Sequence, residues 1–344
     1  MNHYHIMNNF LKYLAVLPGA ALFVSSQLAA ESDSTNPVGY ITLTVKASSD
    51  AVVAASMARA SSYVGTVASV DDSDTITLSG SPGFTVDEYA PADEDGNNSY
   101  YVQFTSGDRE GLWAIIDGNG SSSLDLTFVT QDLGSDEGDQ VLSGDTVAIV
   151  PFWTPATLFP DADVVDGSEL LVFSRTVAGI NLSASSVYVS YDGYGWYNGG
   201  TYVDHLPIYP DESMIFRNKS GEDQKLTQAG QVPMATFRTV LSLVSSETQQ
   251  DIRLTAGLPV SVALQDFADL GASGDGDQIL IFDNTLAGEN KSASKVVTYY
   301  DGYGWYDGGT EMNTYEIDPG QGIVYRKKGA NASDAVVKFK PSYQ

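Results

Sequence analysis

The chain has 344 residues, of which 44 are Asp or Glu and 17 are Lys or Arg, so its formal net charge at pH 7 is −27. This acidic balance argues against nucleic acids and anionic lipid surfaces as partners, because like charges repel. The lack of cysteine excludes disulfides, thiolate zinc sites and cysteine nucleophiles. The chain must therefore be held together by its own hydrophobic core.

Residues 1–30 have the pattern of a secretory signal peptide. A lysine supplies a positive n-region, residues 14–24 form an apolar stretch, and small residues lead to Ala30 as the cleavage position. The apolar stretch is too short for a membrane span and is interrupted by Pro18 and Gly19, so a membrane anchor is the less favoured interpretation. We expect an exported chain without a transmembrane segment after cleavage, located in the periplasm, on the cell surface or in the medium.

Short segments with the composition of strands follow one another along the rest of the chain. Residues 40–45 are rich in β-branched residues, and residues 75–78 and 124–128 alternate apolar with polar positions, the period of a half-buried strand. Clusters of Gly, Asp, Asn and Ser separate the segments, and residues 117–120 (Asp-Gly-Asn-Gly) predict a hairpin turn. Candidate helices are few and short, such as residues 264–268. We predict an all-β fold.

One segment returns with a constant offset. Residues 191–197 (Tyr-Asp-Gly-Tyr-Gly-Trp-Tyr) recur 109 positions later as residues 300–306, and the match continues on both sides, from Leu171 to Arg217, without a gap. Such a match is typical of a duplicated structural unit. The copied residues are mainly glycines, aromatics and apolar strand residues, so the repeat indicates scaffold rather than chemistry.

The repeat also predicts how the chain is divided. Residues 51–54 match residues 251–254 in apolar pattern with an offset of 200, which implies an insertion of 91 residues in the first copy. The insertion would hold about six strands, enough for a small barrel or sandwich; a tandem order, with this domain ahead of two repeats, is the alternative. We predict a duplicated β-sandwich or β-barrel-like module plus one small β-barrel-like domain. The predicted segments are 1–30 (signal peptide), 31–62 (start of copy 1), 63–153 (small β domain, inserted or N-terminal), 154–230 (remainder of copy 1) and 231–344 (copy 2).

Acidic residues are concentrated in short clusters, such as residues 71–74 and 136–139. The simplest interpretation is solvated loops that keep an exported protein soluble. Calcium binding is the alternative, because hard cations take carboxylate and carbonyl oxygens from such loops. Asp93, Asp95 and Asn97 resemble the start of a calcium loop, although the distal bidentate Glu of the full pattern is missing. These three are the candidate Ca²⁺ ligands, and no other cofactor is predicted.

Few side chains are available for nucleophilic or metal-dependent catalysis. After signal cleavage His205 would be the one remaining histidine, so a multi-histidine metal site is excluded and a Ser-His-Asp triad would have to use it. Its counterpart in the second copy is Thr314, so the repeat does not require a histidine. Two carboxylates suffice for glycoside hydrolysis, but no pair among the 44 acids stands out. We assign no catalytic residue and expect a non-enzymatic protein, with a carboxylate-dependent glycan-cleaving enzyme as the weakest alternative.

The two copies of the aromatic segment predict matching hairpins. Each Asp-Gly pair is expected at a type I′ turn, with the aromatic residues on the flanking strands. The tyrosine between the glycines is expected to project outward and the tryptophan to lie in the core, and cross-strand packing explains these residues without a ligand. The alternative is a sugar-binding platform, with aromatic faces on pyranose rings and aspartates on hydroxyls. Its candidate residues are Tyr194, Trp196, Tyr303, Trp305, Asp192 and Asp301.

Further motifs carry a resemblance to a known family. They are residues 36–40 (Asn-Pro-Val-Gly-Tyr), 63–67 (Tyr-Val-Gly-Thr-Val), 101–107, 150–153 (Val-Pro-Phe-Trp) and 178–181 with 282–288. Over nearly the whole predicted mature length, the chain resembles an uncharacterised family of exported β-rich proteins found mainly in verrucomicrobial bacteria. The resemblance implies export and a β-rich fold, with no assigned activity. The acidic loops and the Asp-Gly-Tyr-Gly-Trp hairpins depart from the pattern of that family.

These features predict a secreted, non-enzymatic protein with a structural or recognition role at or outside the cell envelope. The alternative is an extracellular glycan-binding protein that uses both aromatic hairpins and is stabilised by calcium. The expected partner is accordingly a polysaccharide or an envelope component, not a nucleic acid. An exposed strand edge would also permit self-association.

Overall fold

The computed structural model describes residues 37–343 except for residues 92–99, 130, 161–162, 242–247, 269–273 and 329–334. The predicted signal peptide and the predicted calcium ligands Asp93, Asp95 and Asn97 lie outside the described residues. The described part of the chain consists of short strands joined by turns, together with two helices of four and five residues. This confirms the predicted all-β fold, and the second helix is the predicted helical turn at residues 264–268.

Two strands open the described chain. β1 (Val38–Val45) alternates exposed with inward-facing residues, the pattern of a strand with one solvated face. β2 (Ser49–Ala54) is buried along its whole length. The first strand therefore lies at the surface and the second inside the molecule.

A closed barrel follows. Its strands are β3 (Tyr63–Val70), β4 (Thr75–Leu78), β5 (Tyr100–Phe104), β6 (Trp113–Asn119), β7 (Ser123–Thr127) and β8 (Thr146–Pro151). They close in the order β3-β4-β7-β6-β5-β8, around apolar side chains such as those of Phe104 and Ile116. The predicted hairpin is present between β6 and β7, but its turn lies at residues 120–122 instead of 117–120, because an irregularity after Ile116 lets β6 continue to Asn119.

The chain then returns to the module that it left at β2. The elements are α1 (Pro155–Leu158), β9 (Glu169–Val172), β10 (Ser186–Tyr191), β11 (Gly195–Asn198), β12 (Thr201–Tyr202), β13 (Ser213–Asn218) and β14 (Gln224–Gln231). One sheet has the order β12-β11-β10-β9-β13-β2, and β14 pairs with β1. Strands from both sides of the barrel thus share a sheet, so the barrel is inserted within this module rather than placed ahead of it.

The second module repeats this arrangement. Its elements are β15 (Phe237–Leu241), β16 (Gln250–Leu254), β17 (Val262–Ala263), α2 (Leu264–Ala268), β18 (Gln278–Ile281), β19 (Lys295–Tyr300), β20 (Gly304–Asp307), β21 (Thr310–Glu311), β22 (Glu316–Ile317), β23 (Ile323–Lys327) and β24 (Ala335–Phe339). The sheet order β21-β20-β19-β18-β23-β16 matches that of the first module, and the pair β15-β24 corresponds to β1-β14. Each pair packs on its sheet around a separate apolar core.

Strand pairing corrects the alignment of the two copies by one residue. Arg217 lies opposite Asp50 in the first module, and Arg326 lies opposite Asp251 in the second. Because the two arginines are 109 positions apart, Asp50 is the equivalent of Asp251. The offset of 200, which aligns Ala51 with Asp251, is therefore wrong. A strand that is buried on both faces has no alternation, so its apolar pattern carries no information about register.

The two modules contact each other through equivalent residues. Asn181 of the first module donates its backbone N–H to Asp251 Oδ2 at 2.8 Å, and its side-chain oxygen accepts from Arg326 Nη2 at 2.9 Å. In the other direction, Asn290 of the second module donates its backbone N–H to Asp50 Oδ2 at 2.6 Å, and its side-chain oxygen accepts from Arg217 Nη2 at 2.9 Å. The contact is therefore self-complementary, like the interface of a two-fold dimer.

Candidate ligand-binding hairpins

Each module carries a hairpin with a three-residue tip. In the first module Tyr191 pairs with Gly195, so Asp192, Gly193 and Tyr194 form the loop. Tyr194 donates its backbone N–H to the carbonyl oxygen of Tyr191 at 2.8 Å, and of the two central residues only Gly193 has a positive φ, of 72°. A positive φ at the second central residue alone is the signature of a type II turn. The predicted type I′ turn is therefore wrong at this position.

The hairpin of the second module has the same geometry. Tyr303 donates its backbone N–H to the carbonyl oxygen of Tyr300 at 2.9 Å, and Gly302 has a φ of 75°. The type I′ pattern, with a positive φ at both central residues, occurs at a different turn. This is the turn between β11 and β12 of the first module, where Gly199 and Gly200 have φ values of 56° and 92°. Strand pairing makes the tip three residues long, and loop length rather than the Asp-Gly dipeptide decides the turn type.

A side chain from a later loop anchors each hairpin. Asp204 Oδ1 accepts the backbone N–H of Trp196 at 2.5 Å, and Asn313 Oδ1 accepts that of Trp305 at 2.8 Å. The Asp204 carboxylate also occupies the place that a Cβ on Gly195 would take, and Gly195 has a φ of 87°. The backbone can therefore approach this anchor only because residue 195 is glycine.

An aspartate from an earlier loop caps each tip. Asp166 Oδ1 accepts the backbone N–H of Asp192 at 3.0 Å, and Asp275 Oδ1 accepts that of Asp301 at 3.2 Å. The candidate residues Asp192 and Asp301 are themselves exposed. Each tip is thus held by hydrogen bonds to its backbone, while its own carboxylate faces solvent beside the tyrosine.

The tyrosines and tryptophans of the hairpins have opposite surroundings. Tyr194 and Tyr303 are 74% and 73% exposed, whereas Trp196 and Trp305 are 1% and 0% exposed. The ring of Trp196 packs in the core of its module, where its Nε1–H donates to the Phe159 carbonyl oxygen at 3.2 Å. A buried indole offers no face to a sugar, so the two tryptophans are corrected from candidate ligand residues to core residues.

Further tyrosines extend the aromatic surface of the first hairpin. Tyr191 packs edge-on against Tyr197, with ring centroids 5.7 Å apart, and Tyr197 packs in the same way against Tyr202 at 5.5 Å. Tyr202 Oη donates to Asp204 Oδ2 at 2.8 Å, which raises the pKa of the phenol and keeps it a donor. The sequence pattern does not single out these tyrosines, although their alternation with buried Ser190 and Trp196 places them on the open face of the sheet.

The corresponding surface of the second module is shorter. Tyr300 packs against Tyr306 with ring centroids 5.9 Å apart, but Glu311 stands where the first module has Tyr202. His205 lies 5.9 Å from the Tyr202 ring and is half-buried, so it belongs to the edge of the first aromatic surface. The duplication has thus kept the exposed tip in both modules and the longer aromatic surface in one.

One of the predicted acidic clusters is partly neutralised by an arginine. Asp139 Oδ2 accepts from Arg109 Nη2 at 3.1 Å. Among the described residues, no three or more His, Cys, Asp or Glu side chains are grouped so that they could hold a metal ion. Calcium binding at Asp93, Asp95 and Asn97 stays a prediction, because these residues lie outside the described part.

Three comparisons with known proteins give no indication of function. No protein-family model, curated protein or solved structure matches the chain. The resemblance to exported verrucomicrobial proteins therefore stays a prediction, as do export and location. Within residues 37–343, less the gaps given above, no helix has the length and apolar character needed to cross a membrane.

Proposed function

We propose that the protein is an exported, non-enzymatic recognition protein that binds polysaccharide at or outside the cell envelope through its two tyrosine hairpins. The observation that carries this proposal is the exposure of Tyr194 and Tyr303, at 74% and 73%, on tips that hydrogen bonds hold in place. An exposed aromatic ring on a backbone held in this way is a stacking platform for a pyranose ring. The neighbouring carboxylates of Asp192 and Asp301 supply acceptors for sugar hydroxyls.

The duplication favours a polymeric ligand over a small sugar. A single exposed tyrosine and a carboxylate make a weak site, because few atoms contact the ligand. When two such sites bind one polymer, the second binding event is intramolecular and the overall affinity exceeds that of either site. A polysaccharide repeats the same sugar along its length and so presents both hairpins with the same chemistry.

The test is the retention of purified residues 31–344 on a panel of marine, plant and cell-wall polysaccharides, with calcium and with a chelator. We expect Tyr194→Ala or Tyr303→Ala alone to weaken retention by about tenfold and the double variant to abolish it, because bivalence is lost first and stacking second. Tyr40→Ala is the matched control, since Tyr40 is 75% exposed but lies on β1, outside the hairpins.

Each other outcome has a definite meaning. Unchanged retention of the double variant would contradict the proposal. Release of soluble sugars would favour the glycan-cleaving alternative, and loss of retention in chelator would support the predicted calcium site. Failure of the folded protein to bind any polymer would favour a structural role in the envelope instead of recognition.

A further inference from the structure

The outer edge of β1 is an unpaired row of backbone groups. The carbonyl oxygen of Pro37 accepts the backbone N–H of Val232 at 2.8 Å, which places the hydrogen-bonded pairs of β1 and β14 at the odd-numbered residues of β1. The N–H and C=O groups of Thr42 and Thr44 consequently point away from β14. Of the strands that the structure describes, only β14 pairs with β1. Such an edge is a template for one more strand.

This edge borders a cleft of about 850 Å³ between the two modules. Five consecutive residues of β1, 41–45, line the cleft, as happens when a cavity runs along the edge of a strand. Val53 of β2 contributes to the first wall, and Phe282, Tyr315 and Pro319 of the second module form part of the other. The volume lies in the range of about 300–1,000 Å³ that is typical of ligand sites, and both walls contain apolar side chains.

The charges around the cleft favour a basic ligand. Asp283, Asp318 and Lys295 all line it. Hydrogen bonds from the side chain and backbone of Thr285 lower the pKa of Asp283, which keeps this carboxylate ionised. The ammonium group of Lys295 lies 4.0 Å from a carboxylate oxygen of Asp307, so its charge is already partly balanced. The lining thus has two carboxylates and one ammonium group, in a chain whose net charge is −27. The ammonium group of Lys291 lies beside Asp283, where it donates to the backbone carbonyl oxygen at 2.8 Å, so Asp318 is the carboxylate with the less balanced charge.

The corresponding edge of the second module is covered by polypeptide. Thr236, just before β15, donates its backbone N–H to Glu110 Oε1 of the barrel domain at 2.7 Å. Gly111 packs so closely that a Cβ there would lie 2.6 Å from the Thr236 carbonyl oxygen and 2.9 Å from the backbone nitrogen of Arg238. The loop thus covers the start of this edge, at Thr236 and Arg238, which correspond to Val38 and Tyr40 of β1.

We infer that the cleft beside β1 binds an extended peptide segment of a partner protein, which adds as a strand to the Thr42–Thr44 edge and directs a lysine or arginine toward Asp283 and Asp318. The row of N–H and C=O groups selects a peptide, because strand addition satisfies both donors and acceptors. Five residues span about 17 Å along the edge, and alternate side chains of the peptide would enter the apolar cleft. This surface is separate from the tyrosine hairpins.

The probe is a pair of acetylated, amidated heptapeptides of alternating valine and threonine, one with a central lysine and one with a central glutamate. We expect the lysine peptide to bind the mature chain, measured by calorimetry, about tenfold more tightly than the glutamate peptide. Hydrogen exchange should slow at Thr42 and Thr44. Thr42→Pro should abolish binding, because proline removes an outward N–H while leaving the pairing with β14 intact.

Thr227→Pro is the matched control. Thr227 lies directly opposite Thr42 in the same pair of strands, and its backbone N–H points to the other edge. The Thr227→Pro variant should bind the lysine peptide as tightly as the unaltered chain does. Equal binding to Thr42→Pro and Thr227→Pro would overturn the inference, as would failure of both peptides to bind at millimolar concentration. A dimer in sedimentation analysis that Thr42→Pro dissociates would also overturn it, because a second copy would then be the occupant.

Discussion

Glu212 and Gln321 hold equivalent places in the two modules, where each makes an isolated backbone bridge to the edge strand of the other module. The junction at Gln321 is neutral. There the side chain of Asn284 bonds both the N–H and the C=O of Val52, each at 2.9 Å. The contact between Asn284 and Val52 is thus made by amide groups alone.

The junction at Glu212 is charged instead. Arg175 forms a bidentate pair with Asp211, at 2.6 and 2.9 Å, and the Arg253 guanidinium lies 3.5 Å from the centroid of the Phe173 ring. Burial raises the pKa of Glu212 to about 7, against the opposing effect of Arg175. Burial also lowers the pKa of Arg253 to about 10. The two copies therefore differ in charge at this junction, where Arg175, Asp211 and Glu212 correspond to Asn284, Gly320 and Gln321.

The raised pKa of Glu212 predicts a dependence of stability on pH. The folded protein keeps this proton up to about pH 7, whereas the unfolded chain releases it near 4.5, so the contribution of Glu212 to the free energy of unfolding falls between these values. We expect Glu212→Gln to match the unaltered chain near pH 4.5 and to be more stable by about 1–3 kcal/mol at pH 8. Urea unfolding at both pH values measures the difference.

Glu222→Gln, at an exposed glutamate, is the control for that comparison and should leave the pH dependence unchanged. Parallel pH profiles for Glu212→Gln and the unaltered chain would refute the prediction.

Removing one partner of the buried ion pair between Arg175 and Asp211 should lower the free energy of unfolding more than removing both partners. Asp211 is 3% exposed, so Arg175→Asn leaves a buried charge without its partner and should destabilise the chain by about 3–5 kcal/mol. Adding Asp211→Gly should recover at least half of the loss, because the second module has Asn284 and Gly320 at these places. A double-mutant cycle of unfolding free energies measures the coupling, and additive losses would argue against it.

Two glycines of the first hairpin should differ in their tolerance of alanine. Gly193 has open space where a Cβ would lie, so Gly193→Ala meets only the strain of its positive φ and should cost about 1 kcal/mol. Gly195→Ala also drives a Cβ into the Asp204 carboxylate and should cost about 2–4 kcal/mol. Thermal unfolding of the two variants gives the comparison. Equal costs would mean that Asp204 moves aside freely.

The indole N–H groups of the two buried tryptophans should contribute differently to the free energy of unfolding. The Nε1–H of Trp196 has a carbonyl partner, whereas that of Trp305 is buried without a partner among the described residues. Trp196→Phe should therefore destabilise the chain by about 1 kcal/mol more than Trp305→Phe, because the second change removes an unsatisfied donor. Chemical denaturation of both variants measures this difference, and the reverse order would contradict it.

Several features were accessible from residue patterns because they depend on local chemistry. The alternation of residues 75–78 and 124–128 identifies strands, and β4 and β7 are those strands. A tyrosine placed between two glycines cannot pack easily against its own hairpin, and Tyr194 is accordingly exposed. The candidate site was predictable to this extent.

Other features depend on pairing between distant segments, which no local pattern encodes. The register that sets Asp50 against Arg217 joins residues 167 positions apart, and the buried strand β2 offers no alternation to reveal it. The type II turn at Gly193 follows from the pairing of Tyr191 with Gly195 rather than from the dipeptide.

The sequence by itself determined the all-β class, the duplication and the outward tyrosines, since these follow from composition, repetition and residue size along short stretches. Only the tertiary structure decided that β2 joins strands beyond the barrel, that the two modules meet through Asn181 and Asn290, and that the edge at Thr42 faces a cleft. The physical reason is that such contacts form between segments far apart in the chain. Their partners are selected by packing and hydrogen bonding in three dimensions, where many different sequences satisfy the same local rules.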